Sequence, residues 1–142
     1  MKIHENIMIF SNKTHIYKPI KTLREKEKKS KNYGTGETMG GNREKEEKLY
    51  TYKDKFPISI IEISNANQKG KLHPTQKPVA LLEYLIKTYT NEGELILDNC
   101  MGSGSTGIAC LNTNRKFIGI ELEKNYFNIA KERIENHIQL NK

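Results

Sequence analysis

Apolar residues recur along the second half of this chain in two rhythms. Val79, Leu82, Leu85 and Ile86 share one face at helical spacing, which predicts an amphipathic helix over about residues 78–89, with Pro78 suited to its first turn. Leu95-Ile96-Leu97 is a short apolar run ending in Asp98, and Phe117-Ile118-Gly119-Ile120 is another ending in Glu121. These predict strands over about 94–98 and 117–121. Between them, small residues from Ser105 onward predict a helix over about 105–112. Tyr126, Ile129, Ala130, Arg133 and Ile134 give a last amphipathic helix over about 123–139. Two more apolar runs predict strands at about 6–11 and near Ile58–Ile63. Alternation of helix and strand from residue 78 onward argues for a parallel α/β arrangement.

The middle of the chain breaks this pattern. From Lys18 to Lys55 hydrophobic residues are sparse, and Lys21, Arg24, Lys26, Lys28, Lys29 and Lys31 crowd together. Glycines at 34, 36, 40 and 41 follow, and then the mixed-charge run Arg43–Lys48. Little apolar surface is available to offset the entropy of ordering, so this stretch is expected to be flexible in isolation. It reads either as a DNA-contacting insert that orders on binding or as a solvated linker.

The candidate chemistry sits where the first C-terminal strand ends. Asp98-Asn99-Cys100-Met101-Gly102-Ser103-Gly104-Ser105-Thr106-Gly107 is an acid, a glycine turn and a helix start. Such a turn lets an anionic group rest on backbone N–H groups at a helix N-terminus. Gly102 and Gly104 permit a sharp turn and close approach of a ligand. Glu121, at the tip of the next strand, is placed to accept ribose hydroxyls. A mononucleotide P-loop needs a lysine after its last glycine, and here Ser105-Thr106 follow Gly104. The Gly102-x-Gly104-x-x-Gly107 spacing matches a dinucleotide fingerprint literally, but that match alone is weak.

Upstream lies His73-Pro74-Thr75-Gln76-Lys77-Pro78. That segment, an amphipathic helix, Asp-x-x-Met-Gly-Ser-Gly-Ser-Thr and Gly-Ile-Glu-x-x-x-x-Tyr together resemble the β-class amino DNA methyltransferases. These enzymes methylate the exocyclic nitrogen of adenine or cytosine from S-adenosylmethionine. The resemblance is tight over about residues 71–135 and looser over 1–20 and 56–70. It implies a partial Rossmann-like α/β methyltransferase fold. It also implies that Asp98 and the turn Gly102, Ser103, Gly104, Ser105 and Thr106 hold the methionine end of the cofactor. Thr75, Gln76 and Lys77 would close the same pocket, and Glu121 would bind the ribose. Tyr126, Ala130 and Arg133 match the family's following helix, where packing and solvation of that helix account for them. By position, the basic stretch matches the target-recognition region, with Lys26, Lys28, Lys29 and Lys31 as candidate phosphate contacts.

Two departures stand out. The family usually has Asp-Pro-Phe before Met-Gly-Ser-Gly, whereas here the residues are Asp98-Asn99-Cys100. The family's catalytic motif is an Asp, Asn or Ser followed by Pro-Pro and an aromatic residue, which grips the amino group of a flipped base. The four prolines here, Pro19, Pro57, Pro74 and Pro78, are never adjacent, so no catalytic residue is assigned. The chain reads as the C-terminal, cofactor-binding half of such an enzyme. Residues 1–17 would be a late strand of the sheet, 18–56 the recognition-like insert and 57–142 the cofactor-binding part. The implied partners are double-stranded DNA and a separate polypeptide carrying the catalytic half. An inactive remnant that binds cofactor or DNA, a cytosine-N4 enzyme half and an unrelated nucleotide-binding module remain alternatives to adenine-N6 methylation.

The remaining bounds agree with this reading. A net charge of +7 and a pI near 9.3 suit a polyanionic partner. No apolar run approaches the roughly twenty residues of a membrane span. The first residues carry no signal-peptide core, so a cytoplasmic protein is expected. Cys100 and Cys110 are then reduced thiols, and His4, His15, His73 and His137 lack metal-ligand spacing.

Overall fold

The computed structural model describes residues 5–32, 48–64 and 72–140. They fall into two units, one formed by residues 1–18 with 61–142 and the other by 19–60. The glycines at 34, 36, 40 and 41 and most of the Arg43–Lys48 run lie outside the described residues.

The larger unit holds α1 (Val79–Tyr89), a strand β3 (Leu95–Asp98), α2 (Ser105–Asn112), a strand β4 (Lys116–Gly119) and α3 (Lys124–Leu140); the strands β1 (Thr22–Asn32) and β2 (Lys48–Lys55) belong to the other unit. All five match the expected elements to within about two residues. β3 and β4 pair in parallel, with Leu95 opposite Lys116, Ile96 opposite Phe117, Leu97 opposite Ile118 and Asp98 opposite Gly119. A parallel pair needs a crossover, and α2 supplies it. Alternation then sends Ile96 and Phe117 to one face, where they pack on Ile86, Ala109 and Cys110 together with Val79 and Leu82. Leu95, Leu97, Ile118 and Ile120 remain exposed.

The helix ends are explained by local chemistry. Thr90 closes α1, its N–H donating to the Ile86 carbonyl at 3.0 Å and its hydroxyl to the same oxygen at 2.6 Å. Arg115 locks that corner, donating from Nη2 to the Thr90 carbonyl at 2.8 Å. After α2 the chain turns through Asn114 at φ 58°, a left-handed position that asparagine tolerates.

The expected strands at 6–11 and 58–63 are not formed; both segments are described and neither enters a ladder. Most of their apolar side chains are exposed, with Phe10 84% and Ile58 75% accessible. A strand exists only where its N–H and C=O groups find a neighbouring strand, and apolar character alone does not provide one.

The smaller unit departs from expectation in the opposite sense. Low apolar content points to flexibility, yet Thr22–Asn32 (β1) and Lys48–Lys55 (β2) pair as an antiparallel ribbon. The register runs Lys28 opposite Tyr52, Lys29 opposite Thr51, Ser30 opposite Tyr50 and Lys31 opposite Leu49, with an irregularity between Leu23 and Lys28. The sequence contains a period-two set that charge conceals. Tyr50 and Tyr52 alternate with Leu49 and Thr51, residue types that favour a pleated surface. Arg24 adds a tie, donating from Nε to the Asp54 carbonyl at 2.7 Å.

Candidate cofactor site

The site grows from the C-terminal ends of β3 and β4. Beyond the strands the pairing continues: Ile120 N–H donates to the Asp98 carbonyl at 2.8 Å, and Met101 N–H to the Ile120 carbonyl at 3.0 Å. These two bonds carry Glu121 to the glycine turn. Its Oε2 accepts the Gly102 N–H at 2.8 Å, and its Oε1 accepts the Glu123 N–H at 3.0 Å. The Glu123 and Gly102 N–H bonds favour the ionised form and hold the Glu121 carboxyl below its usual range, with His73 contributing in the same direction. A carboxylate has about four acceptor positions, so each oxygen retains capacity for a hydroxyl donor.

Asp98 is fixed on the other side of the turn. Its Oδ1 accepts the Cys100 N–H at 3.1 Å, and its Oδ2 accepts the Thr106 hydroxyl at 2.5 Å. The turn between these acids is buried from Met101 to Ser105. Gly102 sits at φ 52° and Gly104 at φ 76°, where most side chains would be strained. Gly104 also lies so close to α3 that a Cβ there would stand 3.0 Å from the Ala130 Cβ.

The upstream motif divides. Gln76 reaches the turn, its Oε1 accepting the Ser103 hydroxyl at 2.9 Å and the Leu72 N–H at 3.1 Å. Thr75 meets His73, with its hydroxyl 3.1 Å from the His73 Nδ1. The His73 ring lies against Gly102, 3.3 Å from where a Cβ would sit, and meets Tyr126 edge-on at 4.3 Å between centroids. Lys77 is engaged by the N-terminal segment. Its Nζ pairs with Glu5 at 2.6 Å.

The α3 residues do more than pack and solvate their helix. Arg133 Nη1 donates to the Ser103 carbonyl at 3.0 Å and to the Ser105 hydroxyl at 3.1 Å, and burial lowers its pKa from the ordinary arginine value. Ala130 is fully buried against the turn, and Tyr126 backs His73. His73, Tyr126 and Arg133 are therefore the site-building residues that pattern alone passes over. Tyr126, Ala130 and Arg133 share one face of α3 (i, i+4, i+7), and that spacing is the signal that marks the helix side of the site.

The candidate DNA lysines lie on the ribbon. Lys28, Lys29 and Lys31 occupy paired positions of β1, and Lys26 falls in its irregular segment. Both cysteines are free thiols, Cys100 exposed and Cys110 buried. Among the described residues no helix is long and apolar enough to cross a membrane, and no three His, Cys, Asp or Glu side chains gather as a metal site.

Comparison with known proteins gives a consistent placement. A DNA methylase (N6/N4) family model matches residues 1–132. The Type II methyltransferase M2.LlaDCHI of Lactococcus lactis subsp. cremoris is 40% identical over 121 residues, covering 85% of this chain and 43% of that protein. The Type II methyltransferase M.HpaI of Haemophilus parainfluenzae is 42% identical over 83 residues, covering 56% of this chain and 26% of the relative. The solved M1.HpyAVI–SAM complex superposes with a TM-score of 0.50 at 36% identity, over 74% of this chain and 44% of that one. The chain thus spans less than half the length of these relatives. An unrelated nucleotide-binding module is set aside: with nearly all of its residues matched and the acid–glycine turn–acid arrangement in place, this chain belongs to the DNA methylase family of N6/N4 amino-methyltransferases.

Proposed function

We propose that this chain supplies the S-adenosylmethionine-binding half of a DNA amino-methyltransferase acting on adenine N6. The observation that carries this reading is the pair of carboxylates, Asp98 and Glu121, set on either side of one buried glycine turn by continued pairing of β3 and β4. The donor and acceptor set fits the cofactor. Glu121 retains acceptor capacity for the ribose hydroxyls, and Asp98 offers a carboxylate to the methionine ammonium. The first N–H groups of α2 lack partners within the helix and face a carboxylate favourably. Gln76, His73 and Arg133 hold the turn in shape. When bound, S-adenosylmethionine supplies the methyl group that is transferred.

Transfer also requires the amino nitrogen of a flipped base to be held in line with that methyl group. The 142 residues contain no Pro-Pro-aromatic motif for this. In this reading the motif comes from sequence outside these residues, in the same polypeptide or another one. The target is double-stranded DNA, and the net charge of +7 supports it.

Calorimetry tests the cofactor assignment. Binding of S-adenosylmethionine or S-adenosylhomocysteine is expected, and Glu121→Ala should weaken it by about 1–3 kcal/mol, the scale for losing hydrogen bonds to a charged group. Tight NAD binding with none for S-adenosylmethionine overturns the assignment. Radiolabelled transfer to duplex DNA is expected only when a segment bearing the Pro-Pro-aromatic motif is added. Transfer by the chain alone, abolished by Gly104→Asp, shows that a catalytic group lies within these residues after all.

A further inference from the structure

The bonds that His73 makes settle which of its ring nitrogens carries a proton. The Thr75 backbone N–H donates to Nδ1 at 3.3 Å, and a backbone N–H has only a donor to offer. Nδ1 is therefore the acceptor, and the ring hydrogen sits on Nε2. The Thr75 hydroxyl, 3.1 Å from the same Nδ1, fits as a second donor. Among the described residues no acceptor takes the Nε2 proton.

The ring is also fixed in place. Where Gly102 lacks a Cβ, the ring closes in: that position is 3.3 Å from Cγ, 3.4 Å from Cδ2 and 3.5 Å from Nδ1, with Nε2 no nearer than these. Tyr126 meets the ring edge-on at 4.3 Å between centroids. The Gly102 N–H in turn bonds Glu121 Oε2 at 2.8 Å, so one glycine touches both the His73 ring and that carboxylate. The two groups are complementary in kind. A carboxylate only accepts, and a hydroxyl that gives its proton to one keeps lone pairs for a donor. Half-buried His73 holds such a donor with no partner in the described protein. A donor left unpaired when water is displaced costs stability, so a ligand that covers it must supply an acceptor.

We propose that His73 contacts the bound cofactor directly, donating from Nε2 to the oxygen of a ribose hydroxyl whose proton goes to Glu121. This rests on the reading of the turn as the S-adenosylmethionine site and adds a donor beside the acceptor on its ribose side. Thr75 then has a role at one remove: its N–H holds the ring in the form that leaves Nε2 protonated. A paired donor and acceptor reward a sugar hydroxyl and are both left unsatisfied by a sugar that lacks it. His73 and Glu121 together therefore set a preference for ribose over deoxyribose in the cofactor.

The probes are S-adenosylhomocysteine and its two monodeoxyribose analogues, each lacking one hydroxyl, titrated calorimetrically into the whole chain. His73→Asn keeps an acceptor near the Nδ1 position and lacks the Nε2 donor. It should weaken S-adenosylhomocysteine binding about two- to tenfold, the range for one neutral hydrogen bond. The same substitution should cost nothing with the analogue that lacks the contacted hydroxyl. His73→Gln, whose amide reaches further, should recover part of the loss. An equal loss with all three ligands makes His73 a support of the turn alone and overturns the contact, as does an unchanged affinity of His73→Asn for S-adenosylhomocysteine. Nuclear magnetic resonance of the unmodified, isotope-labelled chain needs no substitution. The His73 nitrogen shifts should report the form protonated at Nε2, and that proton should shift on addition of S-adenosylhomocysteine. A ring protonated at Nδ1 alone, or an Nε2 proton that the ligand leaves unmoved, overturns the proposal. No binding of S-adenosylhomocysteine by the unmodified chain overturns the cofactor reading itself, and the proposal with it.

Discussion

The Arg133 guanidinium donates to the carbonyl of Ser103 at 3.0 Å, binding the last helix to the glycine turn thirty residues before it. The same nitrogen serves the Ser105 hydroxyl at 3.1 Å, so one half-buried cation supports both sides of Gly104. A buried carbonyl that loses such a partner is left unsatisfied. Arg133→Ala is expected to cost about 1.5–3 kcal/mol of unfolding free energy, the range for hydrogen bonds involving a charged group. Arg133→Lys should recover only part, because an ammonium cannot reproduce a planar fork. Urea unfolding of the three proteins measures this, and equal stability of all three contradicts the support role.

Gly104 provides a separate check on the same contact. Its φ of 76° alone costs a Cβ-bearing residue about 1–2 kcal/mol. The Ala130 Cβ, 3.0 Å from where a new Cβ would stand, adds crowding. Gly104→Ala should be clearly destabilising, and Ala130→Gly in the same chain should relieve the crowding but not the backbone strain. Partial, non-additive rescue in a double-mutant cycle is the expected result. Strict additivity would show that the turn and α3 are not in contact.

Glu121 makes the turn sensitive to acid. Its carboxyl titrates below the ordinary value of 4.5 because the Glu123 and Gly102 N–H groups bond the ionised form. A group with a depressed folded pKa contributes stability that is present above its unfolded pKa and is lost as pH falls through the folded one. The stability difference between the unmodified chain and Glu121→Gln should therefore be constant at neutral pH and shrink below about pH 4.5. A difference that instead grows toward acid pH contradicts the assigned hydrogen bonds.

The framework of this site was legible because its elements follow simple periods. Val79, Leu82 and Ile86 mark α1, and the acids after Leu97 and Ile120 mark the two strand ends. What holds the site was less legible because it is non-local. Arg133 looks like one more cation on a charged helix, and nothing in its neighbourhood names Ser103 as its partner. Lys77 sits inside the most specific motif, yet it is held by Glu5, seventy-two residues away. The ribbon was hidden for a different reason. Its lysines lower the apolar content of the stretch, while the stabilising interactions are backbone pairing and a tyrosine pair, which composition does not register.

The two thiols should differ sharply in reactivity. Cys110 lies fully buried in the core, and desolvation pushes its pKa up to about 11, outweighing the opposing pull of Arg115. Cys100 is exposed. Only thiolate reacts readily, so iodoacetamide at neutral pH should label Cys100 in the folded chain and both residues once the chain is unfolded. Early labelling of Cys110 under native conditions would show that the packing of α2 on the sheet opens easily.

The open face of the β3–β4 pair yields the last prediction. Leu97 and Ile118 are directly opposed in register, 61% and 48% exposed, with Leu95 and Ile120 beside them. Parallel sheets are otherwise found with both faces covered, and a contiguous apolar face with free strand edges promotes association. The purified chain should self-associate with rising concentration in sedimentation velocity. Leu97→Lys/Ile118→Glu should reduce that association and change unfolding free energy by no more than about 1 kcal/mol, as expected of surface positions. The same variant should also lose complementation by a segment that supplies the remainder of a methyltransferase sheet, because that segment needs this face. If the double substitution instead unfolds the chain, the face is already covered in solution by the chain itself.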